Sequence, residues 1–233
     1  MAARQRRAEP GDAPAPVGLR VLPATPERWP DVEELFGQNG ACGGCWCRFW
    51  KQDGPEYRAG KGEPNRRALR RSVTGGEVPG LLAYAGEVPV GWAAVEPRAR
   101  YARLVRARNL VAVDDAPVWS VPCFFVRRGW RGKGVARALL AGAAEHARRA
   151  GAPILEGYPI DSRKEMANAF LYTGALSTFL RAGFTEVARK ARTRPVVRLA
   201  LGKARTGRRA RAGAAPSPRP AAPSVAPPRR RRR

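Results

Sequence analysis

The chain has 233 residues, with 44 lysines and arginines against 19 aspartates and glutamates, which gives a formal net charge of +25. Eleven of the positive charges lie between Gly202 and Arg233, a stretch without an acidic residue, so the first 201 residues carry the remaining +14. No stretch approaches the roughly 18 uninterrupted apolar residues of a membrane helix, and no apolar run follows the N-terminal arginines as it would in a secretory signal. We therefore expect a cytoplasmic protein without a membrane segment, whose four cysteines are reduced thiols or ligands rather than disulfides.

The two ends of the chain differ in composition from its middle. Residues 202–233 are rich in arginine, proline and alanine, and low hydrophobicity combined with like charge cannot offset the entropy of an ordered chain. We predict a disordered basic tail there and a shorter disordered arm over residues 1–17. Residues 18–201 are long enough for one domain with a sizeable core.

Short apolar runs alternate with helical patterns in this middle region. Strands are predicted over 18–22, 81–84, 88–95, 118–126, 154–158, 184–188 and 196–201, and helices over 30–36, 63–73, 131–150 and 175–181. The helix over 131–150 is the clearest, because its apolar residues recur every four positions: Val135, Leu139, Ala143 and Ala147. Pro122 predicts a bulged or interrupted ladder in its strand, since proline donates no backbone hydrogen bond. The pattern indicates a layered α/β or α+β domain.

The segment from Val121 to Ala136 carries the most specific signal. A buried strand runs directly into a glycine-rich turn that opens the long helix. Gly132 and Gly134 let backbone amides approach an anion, while the helix N-terminus, Arg131 and Lys133 add positive charge, which predicts a pyrophosphate site. A P-loop is excluded because no Gly-Lys-Ser/Thr ends the turn, and a dinucleotide-binding turn because no strand is followed by Gly-x-Gly-x-x-Gly.

Arg131-x-x-Gly134-x-Ala136 after a hydrophobic strand resembles the acyl-CoA-binding signature of the GCN5-related N-acetyltransferase (GNAT) superfamily. The order of the predicted elements is similar to that family's, and Phe179-Leu-Arg-Ala-Gly-Phe184 resembles the helix end and Gly-Phe pair before the family's sixth strand. The resemblance implies a mixed, mostly antiparallel central sheet flanked by helices. It also implies that the two central strands, here 118–126 and 154–158, splay apart and leave a slot.

The resemblance further implies an acetyl-CoA-dependent N-acetyltransferase that acts on a primary amine of a small molecule or peptide by direct attack on the thioester. A backbone amide in the slot would polarise the thioester carbonyl. Pairing into a homodimer, which is frequent in this family, stays open. The implied acetyl-CoA contacts are the backbone of Phe124, Phe125 and Val126 for the pantetheine arm, and the amides of Arg131, Gly132, Lys133, Gly134, Val135 and Ala136 for the pyrophosphate.

One departure from the family concerns the proton that the departing thiolate needs. Many members carry a tyrosine at the position of Phe179, so that general acid is missing here. Tyr172 stands seven residues upstream, where the family often has asparagine, and it is our candidate for a polar catalytic role.

The attacking amine must also lose a proton, and a carboxylate near the slot is the usual acceptor. Glu156 is the first candidate, because a charge in the middle of an apolar strand is costly unless it is used; an outward-facing structural residue is the alternative. Asp114 and Asp115 are further candidates with turn formation as their alternative, and Glu96 is a third choice. His146, the only histidine, lies beside the apolar stripe and is expected to be a solvated helix residue.

A cysteine cluster, Cys42-x-x-Cys45-x-Cys47, precedes Trp50 in a glycine-rich loop. C-x-x-C spacing is typical of a zinc knuckle or a redox pair. Zinc normally takes four ligands, and beyond these three the chain offers only the distant Cys123 and His146, so we favour a packed loop over a metal site. In the GNAT interpretation this loop lies over the acceptor slot.

The alternative function is a nucleic-acid-associated protein that uses its basic tail and keeps a non-catalytic CoA-binding fold. Such a tail would bind phosphates without sequence preference and with steep salt dependence. No helix-turn-helix, RNA-recognition or paired zinc-finger pattern supports this alternative beyond the charge itself.

Overall fold

The computed structural model describes residues 18–161 and 171–202. The predicted arm over residues 1–17 and nearly all of the predicted tail over 202–233 lie outside these ranges, so both stay predictions. Among the described residues, no helix is long and apolar enough to cross a membrane.

Seven strands of the described chain form one mixed sheet. They are β1 (Leu19–Pro23), β2 (Gly80–Ala85), β3 (Val88–Pro97), β4 (Val118–Val126), β5 (Ile154–Gly157), β6 (Thr185–Ala191) and β7 (Arg194–Ala200). The spatial order is β1-β2-β3-β4-β5-β7-β6. Every neighbouring pair is antiparallel except β4 and β5, which are parallel. The predicted mixed, mostly antiparallel sheet is confirmed.

Helices cover both faces of this sheet. They are α1 (Trp29–Phe36), α2 (Gly54–Ala59), α3 (Glu63–Thr74), α4 (Ala102–Val105), α5 (Val135–Arg149) and α6 (Leu176–Arg181). The sequence did not predict α2 or α4. Helix α2 begins where the Asp53 side chain accepts a hydrogen bond from the Glu56 amide at 2.8 Å, an N-cap that satisfies an otherwise unpaired donor.

The main core lies between α5 and the centre of the sheet. The predicted stripe of Val135, Leu139, Ala143 and Ala147 is fully buried there. A Cβ at Gly91 on β3 would lie 2.5 Å from a methyl of Val135, so this glycine is what lets the helix approach the strand. Burial of such a stripe is the main source of stability for an amphipathic helix.

Helix α5 begins four residues later than the sequence pattern predicted. Gly132 and Gly134 have φ angles of 73° and 76°, in the left-handed region that interrupts a right-handed helix. Residues 131–134 therefore form a turn rather than the first helical turn, and Gly134 is the N-cap residue.

The opposite face of the sheet carries two smaller aromatic clusters. One packs α1, α3 and Trp46 against Trp92 on β3. The other packs Trp50, Tyr101 and Tyr158 beside the middle of β3 and β4. The loop that contains the cysteines contributes to both clusters and is thereby fixed over the centre of the sheet.

Candidate active site

The two central strands separate at the middle of the sheet. Strand β5 pairs with β4 only along Val118–Val121 and ends at Gly157, whereas β4 continues to Val126. The β3–β4 ladder shifts register opposite the segment that contains Pro122, as the proline predicted. Among the described residues, no strand pairs with the second half of β4 on that side. This edge, called the free edge below, borders the slot expected between these strands.

Backbone groups of β4 point alternately toward β3 and toward this slot, as in any strand. The amide of Phe124 points into the slot, where it donates to the carbonyl oxygen of Tyr172 at 2.6 Å. The amide of Arg127 instead pairs with Val90 on β3 at 3.0 Å. By this alternation, the backbone groups of Phe124 and Val126 face the slot. The backbone groups of Phe125 face β3, where Phe125 pairs with Trp92.

The glycine-rich turn lies at the end of this free edge. Left-handed Gly132 and Gly134 lead into α5, whose first amides have no partner within the helix. The Arg131 and Lys133 side chains are exposed, and Arg131 Nε donates to the carbonyl oxygen of Val126 at 3.2 Å. Positive charge and unpaired amides are therefore contiguous with the slot, in the arrangement that binds phosphates.

The cysteine loop forms the wall on the other side of the slot. Trp50 Nε1 donates to the carbonyl oxygen of Pro122 at 2.9 Å, which fixes the loop to β4. The Tyr172 ring lies 5.8 Å from the Phe49 ring and 6.4 Å from the Trp50 ring, measured between centroids. Burial raises the pKa of Tyr172, with Arg194 opposing it, so this phenol is protonated at neutral pH.

A buried polar cluster lies beneath this aromatic wall. Lys51 forms an ion pair with Glu96 on β3, and both side chains are almost fully buried. Burial raises the pKa of Glu96, and Lys51 opposes this effect. Tyr101 is 1% exposed, and its buried hydroxyl has no hydrogen-bond partner among the described residues. An orphaned buried hydroxyl beside a carboxylate is typical of a position that a ligand or water completes.

This polar cluster was largely missed by sequence reasoning. Glu96 ends an apolar strand, and that was the one local signal available. Lys51 and Tyr101 come from separate segments that only the tertiary structure brings to Glu96.

Glu156, the first candidate for the general base, is fully buried with both carboxylate oxygens occupied. Oε1 accepts from Arg98 Nη1 at 2.8 Å and from the Tyr158 hydroxyl at 2.6 Å, while Oε2 accepts from Arg198 Nε at 2.7 Å. Both oxygens are therefore already engaged by donors of the protein itself, and neither is left for a substrate. The arrangement favours a structural role for Glu156.

The other polar candidates lie away from the slot. Asp114 binds Arg198 at 2.7 Å and caps its own turn through the Ala116 amide, and Asp115 is exposed. His146 is half-buried with its ring 5.6 Å from that of Trp119, rather than solvated as expected, and burial lowers its pKa. Phe179 is fully buried in the main core, so this position supplies only packing.

The three clustered cysteines point in different directions. Cys42 is exposed, Cys45 lies near Tyr57 with a pKa raised by burial, and Cys47 faces inward, where it accepts a hydrogen bond from Trp92 Nε1 at 3.1 Å. Within residues 18–161 and 171–202, no group of three or more potential ligands is arranged to hold a metal ion.

A protein-family model described as the acetyltransferase (GNAT) family matches residues 46–162. A comparison with curated proteins found no match.

Several solved structures are similar to this chain. A GNAT-family acetyltransferase from Desulfovibrio desulfuricans is 16% identical, with 79% of this chain and 99% of that one covered and a TM-score of 0.46. PaiA N-acetyltransferase from Thermoplasma acidophilum, solved with coenzyme A, is 12% identical over the same shares, with a TM-score of 0.45. The yncA acetyltransferase from Salmonella typhimurium, solved with acetyl-CoA, is 16% identical with 79% and 94% covered and a TM-score of 0.44.

Proposed function

Because the chain belongs to the acetyltransferase (GNAT) family, we propose that it transfers the acetyl group of acetyl-CoA to a primary amine of a small molecule or peptide. The observation that carries this proposal is the continuity of two features. The free edge of β4 runs directly into the turn at Gly132 and Gly134 and the N-terminus of α5. A donor with an extended amide arm and a pyrophosphate requires both features in this order.

The donor would bind through two parts of the chain. Phe124 and Val126 offer backbone groups to the pantetheine arm, while the amides from Arg131 to Ala136 face the pyrophosphate. The Phe124 amide donates its hydrogen bond to the Tyr172 carbonyl oxygen, so this bond must break before the amide can bind the donor. A freed amide beside the thioester would stabilise the negative charge that develops on its oxygen.

We assign Glu96, rather than Glu156, as the general base that takes the proton of the attacking amine. Glu96 lies on the same face of β3 as Trp92, and the Tyr101 hydroxyl is nearby. Only one of the two Glu96 carboxylate oxygens pairs with Lys51. Because the pKa of Glu96 is raised, it lies closer to the near-neutral pKa of an effective general base. The acceptor would attack the thioester directly from this side, and coenzyme A would leave.

Tyr172 is the proposed source of the proton for the departing thiolate. Its phenol lies in the aromatic wall of the slot and stays protonated at neutral pH because burial raises its pKa. Tyr172 would thereby take the role of the tyrosine that many family members carry at the position of Phe179.

The test is acetyl transfer to a panel of amines and peptides, detected as acetylated product by mass spectrometry. Glu96→Gln should lower kcat by about 100-fold or more, the usual range for a lost general base, and leave acetyl-CoA binding unchanged. Glu87→Gln is the matched control, because Glu87 is 90% exposed at the β2–β3 turn and forms a surface ion pair with Arg20. A full rate for Glu96→Gln would remove the base assignment, and an absence of any acetylated product would count against the function.

A further inference from the structure

Cys47 and Cys123 form a thiol pair between the cysteine loop and β4. Trp92 Nε1 donates to Cys47 Sγ at 3.1 Å, and the Cys123 thiol lies beside that sulfur, since both cysteines pack against the same cluster of Trp50, Tyr101 and Tyr158. The sequence suggested Cys42 and Cys45 as a pair through their C-x-x-C spacing, but the structure brings Cys47 to a partner 76 positions away in the chain.

The backbone of the cysteine loop is strained in order to place Cys47. Trp46 and Cys47 have φ angles of 43° and 52°, in the left-handed region that side chains other than glycine rarely adopt. Trp46 is held there by stacking on Trp29 at 6.2 Å and by contact with Phe36 at 5.5 Å, between ring centroids. Strain that surrounding packing maintains is typical of functional segments.

The two thiols differ in chemical character. The neighbouring Cys123 thiol and the Trp92 donor lower the pKa of Cys47 despite its burial, whereas the neighbouring Cys47 and burial raise the pKa of Cys123 well above the ordinary value. Lys51 also favours the Cys47 thiolate, and Glu96 opposes it. Cys47 is therefore the better first nucleophile, and Cys123 stays protonated until it resolves the mixed disulfide, when its proton is transferred to the departing thiolate.

We propose that Cys47 and Cys123 form a thiol–disulfide exchange site that reacts with low-molecular-weight disulfides. The Cys47 sulfur attacks one sulfur of the disulfide, and the other leaves as a thiol. The Cys123 sulfur then attacks Cys47 in this mixed disulfide and releases the second thiol. The protein loses two electrons and two protons to the disulfide, which is reduced to two thiols, and gains one Cys47–Cys123 bond.

The bond would tether the cysteine loop to β4 next to Phe124, whose amide faces the slot. Acetyl transfer should therefore slow on oxidation and recover on reduction. This consequence rests on the proposed function, whereas formation of the bond does not.

The test treats the reduced full chain with bis(2-hydroxyethyl) disulfide and maps the sulfurs by alkylation and peptide mass spectrometry. The expected result is a cross-link between the peptides of Cys47 and Cys123, reversed by a thiol reductant. Cys123→Ser should stop at a mixed disulfide on Cys47, and Cys47→Ser should give no cross-link. Cys42→Ser is the matched control and should cross-link like the unaltered chain.

Two results would overturn the proposal. One is a cross-link between Cys42 and Cys45, and the other is a folded protein in which Cys47 and Cys123 both remain free thiols after treatment. Acetyl transfer measured on the same samples separates the two claims. A mapped bond in a protein without activity would retain the exchange site and count only against the proposed function.

Discussion

Replacing Glu156 by glutamine should destabilise the fold and leave acetyl transfer per folded molecule largely intact. The carboxylate lies between two guanidinium groups, Arg98 and Arg198, whose side chains are only 11% and 10% exposed. Glutamine removes the charge that compensates both of them and leaves two buried cations with weakened partners.

The size of the effect follows from those contacts. Removing one partner of a buried ion pair costs about 3–5 kcal/mol. Arg198 keeps Asp114 at 2.7 Å, and Arg98 keeps the Tyr158 hydroxyl at 2.7 Å. We therefore expect the lower end, about 3 kcal/mol, which corresponds to a decrease in Tm of about 10 °C for a chain of this size.

Urea unfolding, with acetyl transfer measured on the same preparation, separates the structural role from catalysis. Glu87→Gln provides the control, since a surface ion pair contributes about 0–1 kcal/mol. If Glu156→Gln unfolded at the wild-type urea concentration and yet lost acetyl transfer by about 100-fold, the magnitude expected for a missing base, then Glu156 would be the base and the structural reasoning would be refuted.

Three further predictions concern the donor site, the base and the tail. Gly134→Val, at a φ of 76°, should weaken acetyl-CoA binding by about tenfold or more in calorimetry, whereas Gly86→Val, at a φ of 60° in the β2–β3 turn, should carry similar backbone strain and bind normally. Burial raises the pKa of Glu96, so the rate of acetyl transfer should rise with pH along a limb with an apparent pKa above the ordinary glutamate value, and Glu96→Gln should abolish that limb. Protonated Glu96 should also contribute to the free energy of unfolding, and this contribution should be lost as pH rises through the same pKa. Urea unfolding at a series of pH values measures it. Removing residues 203–233 should leave stabilisation by acetyl-CoA unchanged and abolish salt-sensitive retention on DNA; retention by the shortened chain would favour the nucleic-acid alternative.

The parts of the fold that the sequence predicted correctly depend on local patterns. Strand β4 was predicted with its observed bounds, Val118–Val126, because its dense apolar run is bounded by turn residues. The stripe along α5 follows from a four-residue period alone. The start of α5 was wrong by four residues, because the pattern continues through a turn whose glycines adopt left-handed φ angles.

The candidate site was predicted only in the part that one continuous segment supplies. The slot edge and the phosphate turn both lie between Val121 and Ala136. The two arginine partners of Glu156 lie 58 and 42 positions away in the chain, and Trp92 lies 45 positions from Cys47, so neither set leaves a pattern in the sequence. Tertiary contacts of this kind decide whether a buried carboxylate is structural or catalytic.

Calorimetric titration of the full chain with acetyl-CoA tests the central claim most directly. We expect one saturable site per chain, strongly weakened in Gly134→Val and retained in Gly86→Val and Glu96→Gln. The absence of saturable binding, or binding that Gly134→Val does not affect, would contradict the assignment of the slot and the glycine-rich turn as the donor site.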